Sequence, residues 1–146
     1  MIEDHRIAFA AYQPESVVLY GGVNDMRTRG CKTPSDVLSD YRKLVKAVHA
    51  VLRNIRIVYI SLPHFYRDRG NPDANARSTL VDDMIAEATE KNKRLVFVNL
   101  NEPMADTNGQ PRRQLFQTDG IHMNAAGYKL WASQLRPHLR LQDDEP

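Results

Sequence analysis

The sequence predicts a three-layer α/β/α sandwich built around a parallel β-sheet. Three short apolar runs alternate with two long segments of helical periodicity, and a third such segment follows the last run. Strands that alternate with helices of this length are joined by right-handed crossovers, which make neighbouring strands parallel. The length of 146 residues, with no linker-like or repeated segment, indicates a single domain over residues 1–146.

The three predicted strands run from Ser16 to Tyr20, over residues 55–60 and over residues 94–99. Each is apolar at nearly every position and is rich in β-branched or aromatic residues. This pattern is typical of strands that are covered on both faces, as the strands of a parallel sheet are.

Three helices are predicted between and after these strands. The first begins after Thr33, a good capping residue followed by Pro34; the second begins near residue 72, and the third follows Asn124. A further helix over residues 2–12 would precede the first strand. Apolar residues recur at intervals of three and four, so one face of each of the three later helices is expected to pack inward. These inward residues are Val37, Leu38, Tyr41, Leu44, Val45, Val48, Val51, Leu52, Leu80, Val81, Met84, Ile85, Ala88, Tyr128, Trp131, Leu135 and Leu139.

The composition argues against several classes of function. The net charge is +2, and the basic residues are scattered, so no nucleic-acid-binding surface is expected. The local group that includes Arg67 and Arg69 is interpreted as solvated surface. No apolar run approaches the roughly 20 residues that span a bilayer, so no membrane association is expected. Histidines show no metal-ligand spacing and no cofactor fingerprint follows a strand, so neither a metal nor a cofactor is expected.

A single cysteine, Cys31, cannot form an internal disulfide, which favours a reducing compartment. The N-terminal segment is too polar for the core of a signal peptide. A cytoplasmic location is therefore the default expectation.

Ligands of parallel sheets bind at the carboxyl ends of the strands, so the loops at 21–32, 61–72 and 99–122 are the places to seek chemistry. In the first loop, Gly22 permits a tight turn and Asn24 could donate its amide to an oxyanion, although an ordinary turn has the same pattern. In the third loop, Asp119 and His122 are spaced so that the carboxylate can orient the imidazole. A capping or packing role is the alternative for that pair.

Taken together, these segments resemble the SGNH (GDSL-like) hydrolase family of lipases and esterases. The run Leu19-Tyr-Gly-Gly-Val-Asn-Asp25 resembles the family's third conserved block, and Asp119-Gly-Ile-His-Met-Asn-Ala-Ala-Gly-Tyr128 resembles its fifth. The intervening Ile60-Ser-Leu-Pro63 also matches, so the likeness covers nearly the whole chain. It implies a flavodoxin-like fold and hydrolysis of small acyl or acetyl esters.

The resemblance also implies roles for individual residues. Asn24 would be an oxyanion-hole donor on a loop that Gly22 opens. His122 would be the general base and then the general acid, and Asp119 would orient it. Asp25 would hold the turn rather than contact a small-molecule ester substrate.

The family's first two blocks, which supply the nucleophilic serine and a glycine donor, have no counterpart. The resemblance therefore implies an SGNH fold truncated at its N-terminus. Ser61 is the best remaining hydroxyl, although a turn-capping role is favoured for it, and Cys31 is a weaker candidate. Either an unusual serine attacks, or His122 activates water directly.

The alternative is a catalytically inactive pseudoenzyme that acts as a binding or assembly module. The family's missing first strand would lie beside the strand from Ser16 to Tyr20, leaving an apolar edge bare. A bare edge invites pairing with another chain, so a homo-oligomer through this strand is expected.

Overall fold

A computed structural model describes residues 14–27 and 32–139 of the chain. Within these ranges three strands form one parallel sheet in the order β1-β2-β3. The strands are β1 at Ser16–Leu19, β2 at Arg56–Ile60 and β3 at Leu95–Val98. All three predicted strands are therefore confirmed, each one or two residues shorter than the sequence indicated. The helix predicted over residues 2–12 lies outside the described residues.

The helices lie where the sequence placed the three long ones, with two short additions. Their bounds are α1 at Val23–Arg27, α2 at Pro34–Val51, α3 at Pro72–Glu90, α4 at Asn101–Met104 and α5 at Ala125–Leu135. Single turns of 3₁₀ helix lie at Tyr66–Asp68, Arg113–Leu115 and Arg136–His138. The helices α1 and α4 were not predicted, because one turn of helix is too short to show a periodicity of 3.6 residues.

Two side chains fix where the helices begin. The hydroxyl of Thr33 accepts a hydrogen bond from the backbone N–H of Asp36, whose carboxylate accepts one from the backbone N–H of Thr33. At α5 the side-chain oxygen of Asn124 accepts from the N–H groups of Ala126 and Gly127. Both caps satisfy donors that the first helical turn leaves unpaired.

The sheet lies between two helical layers, which confirms the three-layer sandwich. Tyr59 of β2 packs in a cluster with residues of α2 and α3. Its neighbours Val58 and Ile60 point to the other face, where they pack with Trp131 of α5 and with Leu115. Alternate residues of one buried strand thus serve two cores, which explains why the strands are apolar at nearly every position.

Three residues expected to face inward are exposed instead. Leu44 is 45% exposed, Leu80 50% and Tyr128 57%. Leu44 borders a groove beside β1, and Tyr128 contacts Trp131, which in turn contacts Tyr20. Among the described residues β1 pairs only with β2, so no described strand lies beside β1 to cover Leu44 or Tyr128. No helix in the described part of the chain is long and apolar enough to cross a bilayer.

A buried carboxylate fixes the loop that follows β2. Asp82 on α3 is 6% exposed, and its Oδ1 accepts a hydrogen bond of 2.9 Å from the backbone N–H of Leu62. The side-chain amide of Asn101 donates to the carbonyl of Leu62 at 2.9 Å and lies 3.5 Å from Asp82. Burial raises the pKa of Asp82 to about 7. The carboxyl therefore links the β2 loop to α3 and α4.

The raised pKa predicts how Asp82→Asn changes the pH dependence of stability. Between pH 4 and 7 the unfolded chain ionises Asp82 while the folded chain keeps its proton, so folding becomes less favourable as pH rises. Relative to the variant, the wild-type free energy of unfolding should fall by about 1.4 kcal/mol per pH unit in this window. Urea denaturation at several pH values measures it, and parallel pH profiles for the two proteins would contradict the assignment.

Candidate functional site

The loop after β1 is held by two close contacts at the carboxyl edge of the sheet. The hydroxyl of Tyr59 donates a hydrogen bond of 2.8 Å to the carbonyl of Gly21. Gly22 has a φ of +107°, and a Cβ there would lie 3.2 Å from Cγ1 of Val37. Both the left-handed backbone and the small space require glycine, so this turn is fixed before α1 begins.

Asn24 lies in α1 and is exposed. Its neighbour Val23 packs against the cores on both faces of the sheet. Asp25 pairs with Lys32 at 3.3 Å, and Lys32 also pairs with Asp40 of α2 at 2.8 Å. This geometry favours the expected role of Asp25 in holding the loop, and it leaves Asn24 on the solvent side of a fixed turn.

The carboxylate of Asp119 holds His122 directly. Its Oδ2 lies 2.6 Å from Nδ1 of His122, and its Oδ1 accepts hydrogen bonds from the backbone N–H groups of Ile121 and His122. The His122 hydrogen bond, and then these N–H groups, lower the pKa of Asp119 to about 2. The carboxylate therefore stays ionised at neutral pH. With Nδ1 engaged, the Nε2 of an imidazole that is 71% exposed is directed away from the carboxylate.

The turn that carries this pair is anchored at several points. Gly120 is buried with a φ of +68°, and its carbonyl accepts a hydrogen bond of 3.0 Å from the N–H of Arg67. The N–H of Gln117 donates to the carbonyl of His122 at 2.7 Å, and Phe116 forms a bridge with Met123. These contacts are backbone interactions, so the role of Arg67 could not be predicted from residue types.

The loops of Asn24 and His122 border the same core. Val23 precedes Asn24 and Ile121 precedes His122, and both pack against the cluster that contains Phe65. Because the strands are parallel, the loops that follow them leave from one edge of the sheet. The arrangement therefore places the exposed side chains of Asn24 and His122 on segments that border one core.

Ser61 lies inside the core. It is 0% exposed, and its hydroxyl oxygen accepts a hydrogen bond of 2.9 Å from the backbone N–H of Leu100. This hydrogen bond joins the ends of β2 and β3. The burial favours the structural role for Ser61 over attack on a substrate.

Cys31, the weaker candidate for a nucleophile, lies outside the described residues. His64 is partly buried with Nε2 3.2 Å from the Thr79 hydroxyl, and burial lowers its pKa. Among the described residues, no group of three or more histidine, cysteine, aspartate or glutamate side chains could hold a metal ion.

Comparisons with known proteins identify the family and agree with the fold. The sequence profile of the GDSL-like Lipase/Acylhydrolase family matches residues 1–130. Among solved structures, a Streptococcus pneumonia protein provisionally named a platelet activating factor has a TM-score of 0.74 at 19% identity, covering 85% of this chain and 59% of its own. A GDSL-like lipase from Bacteroides thetaiotaomicron has a TM-score of 0.69 at 18% identity, covering 94% of this chain and 67% of its own. A carbohydrate esterase of family 3 from Talaromyces cellulolyticus has a TM-score of 0.71 at 16% identity, covering 94% of this chain and 63% of its own.

A sequence comparison with curated proteins finds no match. The chain spans about six-tenths to two-thirds of the length of these three structural neighbours. At these identities the likeness to solved structures shows the fold, and the family follows from the profile match.

Substitutions at two glycines test whether the contact between Gly120 and the Arg67 backbone fixes the turn that carries Asp119 and His122. Gly120 and Gly109 have similar φ angles of +68° and +73°, but a Cβ at Gly120 would lie 3.0 Å from the Arg67 nitrogen, whereas one at Gly109 would have no neighbour within 4 Å. Each change to alanine should cost about 1–2 kcal/mol for the left-handed backbone. Gly120→Ala should cost measurably more, because the Arg67 backbone must also shift.

Urea denaturation of Gly120→Ala and of the control Gly109→Ala measures the difference. Equal losses of stability would show that the contact between Gly120 and Arg67 does not constrain the turn.

Proposed function

The chain belongs to the GDSL-like lipase/acylhydrolase family, and from this premise we propose that it hydrolyses small acyl or acetyl esters at the Asp119–His122 pair. The observation that carries the proposal is the 2.6 Å contact between Oδ2 of Asp119 and Nδ1 of His122. It fixes the imidazole so that Nε2 can accept a proton from a nucleophile. The named esterase among the structural neighbours supports an ester as the bond cleaved.

Water is the nucleophile that fits the described residues best. Ser61 is fully buried and its hydroxyl is bonded to Leu100, so it is unsuited to attack. In the proposed reaction Nε2 of His122 removes a proton from water as the water oxygen bonds to the ester carbonyl carbon. The carbonyl π electrons move to oxygen and form a tetrahedral oxyanion.

The second half of the reaction returns the proton. As the oxyanion collapses, the bond from carbon to the alcohol oxygen breaks, and the imidazolium of His122 donates its proton to the departing alkoxide. The products are a carboxylic acid and an alcohol. Asp119 remains a carboxylate throughout and stabilises the imidazolium, in keeping with its lowered pKa.

The side-chain amide of Asn24 is proposed to stabilise the oxyanion. The fixed turn at Gly22 and the packing of Val23 support this role, since a donor that is already positioned needs no reorganisation during the reaction. Removal of one such donor typically costs about 3 kcal/mol of transition-state stabilisation.

The proposal predicts distinct effects of three substitutions on hydrolysis of p-nitrophenyl acetate. His122→Ala should lower kcat/KM by about 10²- to 10⁴-fold, because it removes the general base. Asn24→Ala should lower kcat by about 10²-fold or more, because it removes the oxyanion donor. Ser61→Ala should leave kcat/KM within about threefold per folded molecule, but it should lower stability by about 1–3 kcal/mol by leaving the Leu100 N–H unsatisfied.

Assays are normalised to folded protein measured by circular dichroism. Turnover that survives His122→Ala, or that disappears with Ser61→Ala in a folded variant, would refute the proposed roles.

An assembly module is the second candidate function, and the apolar side chains exposed at β1 favour it. Among the described residues, β1 pairs only with β2. Val18 and Tyr20 at this strand are 41% and 47% exposed, and a groove of about 230 Å³ beside it is lined by Leu19, Tyr20 and Leu44. Exposed apolar side chains at the edge of a sheet are a usual feature of interfaces between chains.

The occupant proposed for this edge is a second copy of the chain. A two-fold axis would pair β1 with itself, so each copy would cover the other's apolar groove. Asp25 and Asp40 lie at the groove, and Lys32 pairs with both carboxylates. Each copy therefore presents both positive and negative charges, which can pair with those of the other copy across the two-fold axis.

Val18→Lys should convert a dimer to a monomer, because a charge on the edge strand opposes strand pairing. Leu80→Lys is the matched control, since Leu80 is equally apolar, 50% exposed and located on α3. Sedimentation equilibrium measures both. A monomeric wild type, or loss of the dimer in Leu80→Lys alone, would exclude the β1 interface.

A further inference from the structure

The described surface next to the Asp119–His122 turn is basic. Two arginines lie against the ring of Tyr66, with Cζ of Arg69 4.3 Å and Cζ of Arg113 5.3 Å from its centroid. The two guanidinium carbons are therefore within about 10 Å of each other, although they are separated by 44 positions in sequence. Stacking on one aromatic ring limits the freedom of both side chains.

The segments that carry these arginines contact the Asp119–His122 turn. One guanidinium nitrogen of Arg113 donates to the carbonyls of Phe116 and Gln117 at 3.0 and 2.9 Å. On the other segment, the backbone N–H of Arg67, two residues before Arg69, donates to the carbonyl of Gly120, two residues before His122. The backbone contacts therefore bring the segments of Arg69 and Arg113 to one turn.

In the described part of the chain, the nearby acidic groups Asp68 and Asp119 pair with residues other than Arg69 and Arg113. Asp119 is committed to His122 and to two backbone N–H groups. Asp68 lies 3.9 Å from Arg67, at the limit of an ion pair. In the described ranges 14–27 and 32–139, neither Arg69 nor Arg113 has a carboxylate within ion-pair distance.

We propose that Arg69 and Arg113, stacked on Tyr66, form a subsite that binds an anionic group of the ester substrate beside His122. The inference rests on the proposed ester hydrolysis and narrows its substrates to esters that carry a carboxylate or a phosphate. Guanidinium groups bind both through paired hydrogen bonds, and the anion would relieve the repulsion between the two cations.

The test compares two esters of equal chain length and the same leaving group. These are 4-nitrophenyl butyrate, which is neutral, and 4-nitrophenyl hemisuccinate, whose four-carbon acyl chain ends in a carboxylate. Wild-type kcat/KM should be about tenfold higher for the hemisuccinate, and this preference should shrink as salt screens the arginines. Equal kcat/KM for the two esters, with phosphate failing to inhibit, would overturn the proposal.

Arg69→Gln should abolish most of the preference, because it should lower kcat/KM for the hemisuccinate much more than kcat/KM for the neutral butyrate. Arg113→Gln should also abolish most of the preference. It should in addition lower kcat/KM for both esters, because Arg113 also holds the turn. Arg53→Gln is the control, since it removes an equal charge from an exposed residue just after α2. A preference lost equally in Arg53→Gln and Arg69→Gln would show that net charge, rather than this subsite, is responsible.

Binding measurements separate the subsite from the proposed hydrolysis. Succinate and inorganic phosphate are titrated into the wild type and Arg69→Gln while the NMR signals of Tyr66 are followed, and their relative affinities distinguish a carboxylate ligand from a phosphate ligand. Saturable shifts in the wild type that vanish in the variant support the subsite even if neither ester is hydrolysed. The absence of shifts with both anions would overturn it even if both esters are hydrolysed.

Discussion

Parallel pairing of β1, β2 and β3 is the constraint on which the site depends. Because the strands run in one direction, the loops that carry Asn24, Arg67 and His122 all belong to the carboxyl edge of one sheet. Buried polar contacts then hold this edge together. The hydroxyl of Ser61 accepts from Leu100, and the carboxyl of Asp82 accepts from Leu62, so the β2 loop is tied to its neighbours before any substrate arrives.

Local hydrogen bonds, in addition to the core, build the turn that carries Asp119 and His122. Asp119 forms three hydrogen bonds with residues within three positions of itself, one with the backbone N–H of Ile121 and two with the backbone N–H and the ring of His122. The turn is then fastened to the rest of the fold through Gly120 and Arg67. Local order of this kind explains how an exposed imidazole can keep a fixed orientation, which general base catalysis requires.

Much of this arrangement could be predicted from the sequence because it depends on short-range patterns. Continuous apolar runs predicted the three strands, and the capping residues Thr33 and Asn124 predicted where two helices begin. The spacing of Asp119 and His122 predicted that the carboxylate would contact the imidazole. The exposure of Leu44 and Tyr128 could not be predicted in this way, since helical periodicity shows which face is apolar but not whether another element covers it.

Contacts between distant segments were also beyond the sequence. Nothing in the spacing of Arg69 and Arg113 indicates that they meet at Tyr66, because that depends on how the loop after β2 packs against the segment before α5. The full burial of Ser61 likewise follows from the register of β2 with β3. That burial is the reason why water, rather than Ser61, is proposed as the nucleophile.

The proposed reaction requires that the amide of Asn24 and the imidazole of His122 reach one carbonyl group. A crystal structure with a small alkylphosphonate monoester, an anionic mimic of the tetrahedral oxyanion, measures whether they do. One phosphonate oxygen should lie about 3 Å from Nε2 of His122 and another about 3 Å from the amide nitrogen of Asn24. A phosphonate bound to only one of these groups, with the other beyond its reach, would exclude the shared site.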